Sequence, residues 1–208
     1  MAIQPRGRPR SFDREAALDK ALRLFWEHGY EATSVSDLTK ALGIGTPSLY
    51  AAFGDKQKLF NEAVAAYSTR YGGFAARAFD EEPTARTTAE RTLREAAVEY
   101  SLPGRPPGCM VIHAGINTTN NEVLHLLERL RNDTIDDFER RIRDDIAAER
   151  LPADTDARAL ARFTGAVLQG MSQAARDGAD RDELERVAAL AMLAWPNTPT
   201  QEPVASKA

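Results

Sequence analysis

A chain of 208 residues has room for one or two small domains, each with a buried core. Its 43% hydrophobic content is that of a soluble protein, no apolar run approaches the roughly 18 residues of a membrane helix, and a single cysteine, Cys109, excludes an internal disulfide framework. The net charge of −4 argues against general affinity for nucleic acid, but residues 1–60 hold nine Lys and Arg against seven Asp and Glu, and residues 1–10 hold three arginines and no acid. The N-terminus, MAIQPRGRPRSFDRE, is basic but leads into no apolar segment, so it does not read as a secretory signal and a cytosolic protein is expected.

Helical spacing begins at once. From Asp13 to His28, the residues Ala17, Leu18, Ala21, Leu22, Leu24, Phe25 and Trp26 form an apolar stripe, with Asp13 placed to cap the helix and Gly29 to stop it. Ser34 can cap a short helix from Val35 to Leu42, whose Val35, Leu38 and Leu42 share one face; Gly43 ends it. After the turn Gly43-Ile44-Gly45, residues Thr46 to Phe53 make a third helix, with Pro47 in the first turn, where its missing N–H costs nothing. Asp55 caps a longer helix running to Phe79, weakened at Gly72-Gly73.

Long helix, short helix, glycine-bearing turn, short helix is the helix-turn-helix order, whose second short helix enters the major groove of DNA. The run Thr46-Pro47-Ser48-Leu49-Tyr50 suits that task. Short side chains let the backbone approach the groove floor, the Thr46 and Ser48 hydroxyls can bond base edges or phosphates, and Pro47 can pack on a thymine methyl. Leu49 and Phe53, four apart, face inward onto Leu38 and Leu42, while Tyr50 and Lys56 can bind phosphates.

Residues 12–60 also resemble the DNA-binding domain of the Tet-repressor (TetR) family. The likeness is carried by Leu24-Phe25, Gly29-Tyr30, Ala32-Thr33, Val35 with Leu38, Ala41, Gly43, Leu49-Tyr50, Phe53, Lys56 and Leu59. It implies DNA contacts from Ser34 and Ser36, from Thr46, Pro47, Ser48 and Tyr50, and from Lys56. Gly45 stands where a serine is usual in this family, so the third helix should be capped more weakly. Ala51 and Ala52 stand where aromatic and histidine residues are common, which implies fewer phosphate contacts. Arg6, Arg8 and Arg10 can either reach the neighbouring minor groove or form a solvated tail.

Beyond residue 60 a polar break near Pro83 precedes a helix from about Ala85 to Leu102, and Pro103 to Gly108 breaks the chain again. A helix starts at Cys109. A long amphipathic helix follows, with Val123, Leu126, Leu127, Leu130, Ile135, Phe138, Ile142 and Ile146 inward, and Pro152 ends it. Two more helices close the order. The expected fold is all-α with about nine helices: a helix-turn-helix domain over 1–60 (basic arm 1–11, helix-turn-helix about 34–53), a helical ligand-binding and dimerisation domain over 61–195, and a disordered tail over 196–208.

The resemblance implies a homodimer joined through the last two helices, with Val167, Leu168, Leu184, Val187 and Ala191 at the interface, and double-stranded, palindromic operator DNA as partner. Two-fold pairing also doubles the readout of one short helix, with half-sites roughly 34–36 Å apart. It further implies a small-molecule effector that must favour the non-binding state. Tyr100, Met110, Phe138, Phe163 and Met171 can line an apolar pocket or serve as plain core. Cys109 begins a helix, which would lower its thiol pKa, and the PxGC stretch around it looks like a TetR subgroup some of whose members answer to electrophiles, oxidants or metal; a buried, inert cysteine is the bland alternative. Cys109 and His113, four apart, with His125 downstream, fall short of a four-ligand metal set, so no metal and no cofactor is expected. The chain has no G-x-S-x-G, Walker or G-x-G-x-x-G motif and its acidic runs read as solvated helix faces, so an enzyme is not expected. The remaining alternatives are a thiol- or metal-switched regulator on the same scaffold, and a helical ligand-binding module without DNA.

Overall fold

The computed structural model describes residues 13–196; the arginine arm with Arg6, Arg8 and Arg10, and the tail beyond Pro196, lie outside the described residues. Ten α-helices and no strand occur among the described residues: α1 (Arg14–Ala32), α2 (Val35–Leu42), α3 (Thr46–Phe53), α4 (Lys56–Arg70), α5 (Phe74–Glu81), α6 (Ala85–Ser101), α7 (Met110–His113), α8 (Asn121–Ala147), α9 (Ala157–Arg176) and α10 (Arg181–Met192). Among the described residues no helix is long and apolar enough to cross a membrane.

The ends of these helices follow from local chemistry. Asp13 accepts hydrogen bonds from the N–H groups of Glu15 and Ala16, and Ser34 and Asp37 form a reciprocal capping box at the start of α2. Gly43 ends α2 in the left-handed region at φ 69°. Gly29 takes φ 82°, which breaks the regular path of α1 there and lets Tyr30 N–H donate to the Ala114 carbonyl at 2.8 Å. The expected long helix after Asp55 is two helices. Tyr71 and Gly72 both donate to the Tyr67 carbonyl and close α4, and α5 starts anew at Phe74. The expected helix at Cys109 is a single turn of four residues, with Cys109 as its N-cap.

Two cores result. One gathers Leu22, Phe25, Trp26, Leu38, Leu49, Leu59 and Phe60 with Met110, Ala114, Val123 and Leu127 of the second half. Phe25 meets Phe60 edge to face at 5.1 Å, and Tyr30 meets Phe60 at 5.0 Å. The other core joins α5, α6, α8, α9 and α10 around Leu93, Tyr100, Phe138, Ile142, Met171 and Leu184. The core around α1 therefore continues past residue 60 into α4, α7 and α8, so the head is packed onto the body rather than tethered to it.

Candidate nucleic-acid interface and ligand cavity

On α3 the chain divides sharply. Leu49 and Phe53 are buried against α2 and α4, while Thr46, Pro47, Ser48 and Tyr50 are exposed, Tyr50 at 45%. Gly45 is the N-cap and provides no side-chain hydrogen bond, as its glycine dictates. Ser36 is exposed on the first turn of α2. Ser34 is exposed too, but its hydroxyl donates to Asp37 at 2.6 Å and accepts the Asp37 N–H at 3.1 Å, so its first task is to cap α2. Lys56 is half-buried, with Nζ 4.2 Å from the Tyr30 ring centre, and burial pulls its pKa below the ordinary lysine value. Its ammonium is thus held by an aromatic face beside the reading helix.

A cavity of about 290 Å³ lies between α4, α5, α6, α8 and α9. Phe74, Phe79, Leu130, Ile135 and Leu168 form its apolar wall; Tyr67, Tyr100, Cys109, Arg131 and Gln169 provide polar groups. Of the residues expected around a ligand, Tyr100 and Cys109 are there. Met110, Phe138 and Met171 are packed in the cores, and Phe163 lies on the outer face of α9. Tyr67, Phe79 and Arg131 were not expected; each sits on a helix face whose inward direction only the tertiary packing defines.

Cys109 lines the cavity beside Tyr67, Tyr100, Val111 and Ile112. Of the two alternatives for this thiol, a pKa lowered by the helix start and a buried, inert cysteine, the fold favours the second: burial raises the pKa, and α7 has one turn and little dipole to oppose the desolvation of a thiolate.

His113 faces away from that thiol. Its Nε2 lies 2.9 Å from Ser172 Oγ, which also accepts the Cys109 N–H at 2.7 Å, so the serine hydroxyl can donate to a neutral imidazole. Burial first, and then the Arg176 guanidinium, lower the His113 pKa to about 4, against weaker raising effects of Ser172 and Asp177. The unfolded chain therefore takes up this proton near pH 6.5 and the folded chain only near pH 4, so stability is expected to fall as pH drops through that window. Urea melts at pH 7 and pH 4.5 check this; His113→Gln should flatten the difference. His125 is exposed and pairs with Glu128, and among the described residues no three His, Cys, Asp or Glu side chains converge on a metal position.

On the last two helices, Leu168, Leu184 and Ala191 are buried within the chain's own core and Val167 is half-buried against it, so they are not free for a second subunit. The outward apolar residues are Phe163, Val187, Leu190 and Leu193, the last two 66% and 80% exposed. Of the expected interface set, Val187 is the exposed member.

The segment that lines the cavity also holds the reading head. Trp26 Nε1 donates to the Gly108 carbonyl at 3.2 Å, Tyr30 N–H to Ala114, and Arg23 to the Gly104 carbonyl at 2.9 Å. Arg176 of α9 donates to the carbonyls of Trp26 and Glu27. At the start of α8, Asn120 caps the helix with its oxygen and donates with Nδ2 to Tyr30 and to Gln57 of α4.

Comparison with known proteins gives this geometry a family. Residues 17–63 match the model for bacterial regulatory proteins, tetR family. The HTH-type transcriptional repressor ComR of Escherichia coli (strain K12) is 35% identical over 199 residues, covering 92% of each chain. The chain belongs to the TetR family. A second TetR-family relative, the HTH-type transcriptional repressor BdcR of the same strain, is 36% identical over 89% of this chain and 90% of its own. A solved structure of the TetR family regulator CifR, a cysteine mutant complexed with 26bp double-strand operator DNA, superposes with a TM-score of 0.84 at 41% identity, over 91% of this chain and all of that one. This TetR chain is thus a DNA-binding transcriptional regulator, and its α2–α3 pair is the family's helix-turn-helix.

Proposed function

We propose that the chain acts as a homodimeric repressor that reads a palindromic operator through α3 and leaves it when a small molecule fills the cavity. One observation carries this reading: the stretch Gly108–Ala114 both lines the cavity at Cys109 and hydrogen-bonds to α1 at Trp26 and Tyr30. A ligand that displaces it shifts the head, provided it favours the displaced state. Ser36, Thr46, Pro47 and Ser48 read bases, and Tyr50 and Lys56 face phosphates. The repressor relatives support the sign of regulation, and the family supports a regulator rather than an enzyme. Dimerisation uses the outward face of α9 and α10, since exposed Leu190 and Leu193 need cover. Sedimentation should give a dimer, and Leu190→Asp a folded monomer with weakened operator binding; a monomeric wild-type chain would contradict the reading.

A second reading rests on the thiol itself. Cys109 lines the cavity beside Tyr67 and Tyr100, so a small electrophile that enters meets its thiol and could modify it and act as the effector, slowly at neutral pH because burial raises the thiol pKa. Cys109→Ser is expected to keep operator binding and lose release by iodoacetamide or peroxide. An unchanged response would leave the non-covalent ligand alone.

A further inference from the structure

The chemical class of the effector follows from the charges around the cavity, taking as given that this cavity is the effector site. Arg131 lies on its wall, on α8. One guanidinium nitrogen, Nη1, donates to the Val111 carbonyl at 2.9 Å, and among the described residues no carboxylate pairs with it. The acid that also lines the cavity, Asp137, is matched by Arg140. The cavity therefore holds one uncompensated positive charge. The Ser68 and Thr134 hydroxyls are spent on the carbonyls of Val64 and Leu130 within their own helices. This leaves the remaining Arg131 N–H groups, the phenols of Tyr67 and Tyr100 and the Gln169 amide as donors lining an otherwise apolar space, with Arg131 the charged one among them.

A partly buried guanidinium without a counter-ion favours an anion, and its planar fork matches a carboxylate better than a neutral group. The volume of about 290 Å³ is at the small end of ligand pockets, so the rest of the ligand is a short chain or a single ring. We propose that the cavity binds a small apolar monocarboxylate, with Arg131 gripping the carboxylate and the Phe74, Phe79 and Leu130 side packing its body.

The test is calorimetric titration of the full chain with hexanoate and phenylacetate, each against its primary amide, hexanamide and phenylacetamide. Each acid is expected to bind at least about tenfold tighter than its amide. Arg131→Gln should remove that preference, so that acid and amide bind alike, while Arg131→Lys, which keeps the charge, should retain part of it. Equal binding of acid and amide by the wild type, a preference that survives in Arg131→Gln, or no binding of either acid at millimolar concentration would overturn the proposal. Operator binding without any acid, measured alongside, separates the two levels: its loss would sink the regulatory reading, while its presence with no acid preference would sink this inference alone.

Discussion

Gly108→Ala is expected to destabilise the protein by about 3 kcal/mol. Gly108 sits at φ 75°, a region that costs other residues roughly 1–3 kcal/mol. A Cβ there would also stand 2.6 Å from the Ser172 carbonyl oxygen and 2.8 Å from its hydroxyl, and overpacking adds a further 1–3 kcal/mol or so. That carbonyl belongs to the α9 backbone and cannot swing aside. The serine hydroxyl, pushed away, would lose the Cys109 N–H and the His113 ring together. For a chain of this size the melting temperature should drop by roughly 6–12 °C in a calorimetric scan. A melting point within a degree or two of wild type would mean that the junction between cavity and head is softer than drawn here. Because Trp26 hangs on the Gly108 carbonyl, operator affinity should weaken as well.

Ser48→Glu tests the reading helix at the opposite extreme, with little cost to stability and a large cost to binding. Ser48 is exposed on the outward face of α3, so the melt should stay within about 0.5 kcal/mol of wild type. Against DNA, the new carboxylate would meet phosphates and base edges in the groove, where like-charge juxtaposition costs several kcal/mol. Operator affinity, read by fluorescence anisotropy, should fall by about a hundredfold or more. A loss of tenfold or less would place α3 outside the groove and turn attention to another face of the head.

How much of this could be read from the residues alone depended on how local each cause was. The head was legible. Asp13, Ser34 and Gly43 act on their own backbone neighbours, and the Leu38, Leu42, Leu49 and Phe53 spacing defines one inward face, which the fold buries. Gly72-Gly73 read as a weak point, and the Tyr67 carbonyl turns that weakness into a full break. The body was less legible, because a helical stripe does not say which neighbour covers it. Leu184 and Val187 are three apart on α10, yet one is wholly buried and the other open. Arg131 shows nothing in the sequence that separates it from the other arginines of α8. Cys109 left two alternatives open, a helix start that lowers its pKa and burial that raises it, and only the fold shows that burial prevails.

The central claim is that α3 reads a specific DNA site under the control of the cavity. A binding titration of the purified protein against the DNA upstream of its own gene, at two salt concentrations and with a scrambled duplex of equal length, tests it most directly. The account predicts tight binding that falls steeply with salt and prefers the upstream site by about a thousandfold or more. Equal, weak binding to the upstream and scrambled duplexes at both salts would contradict it.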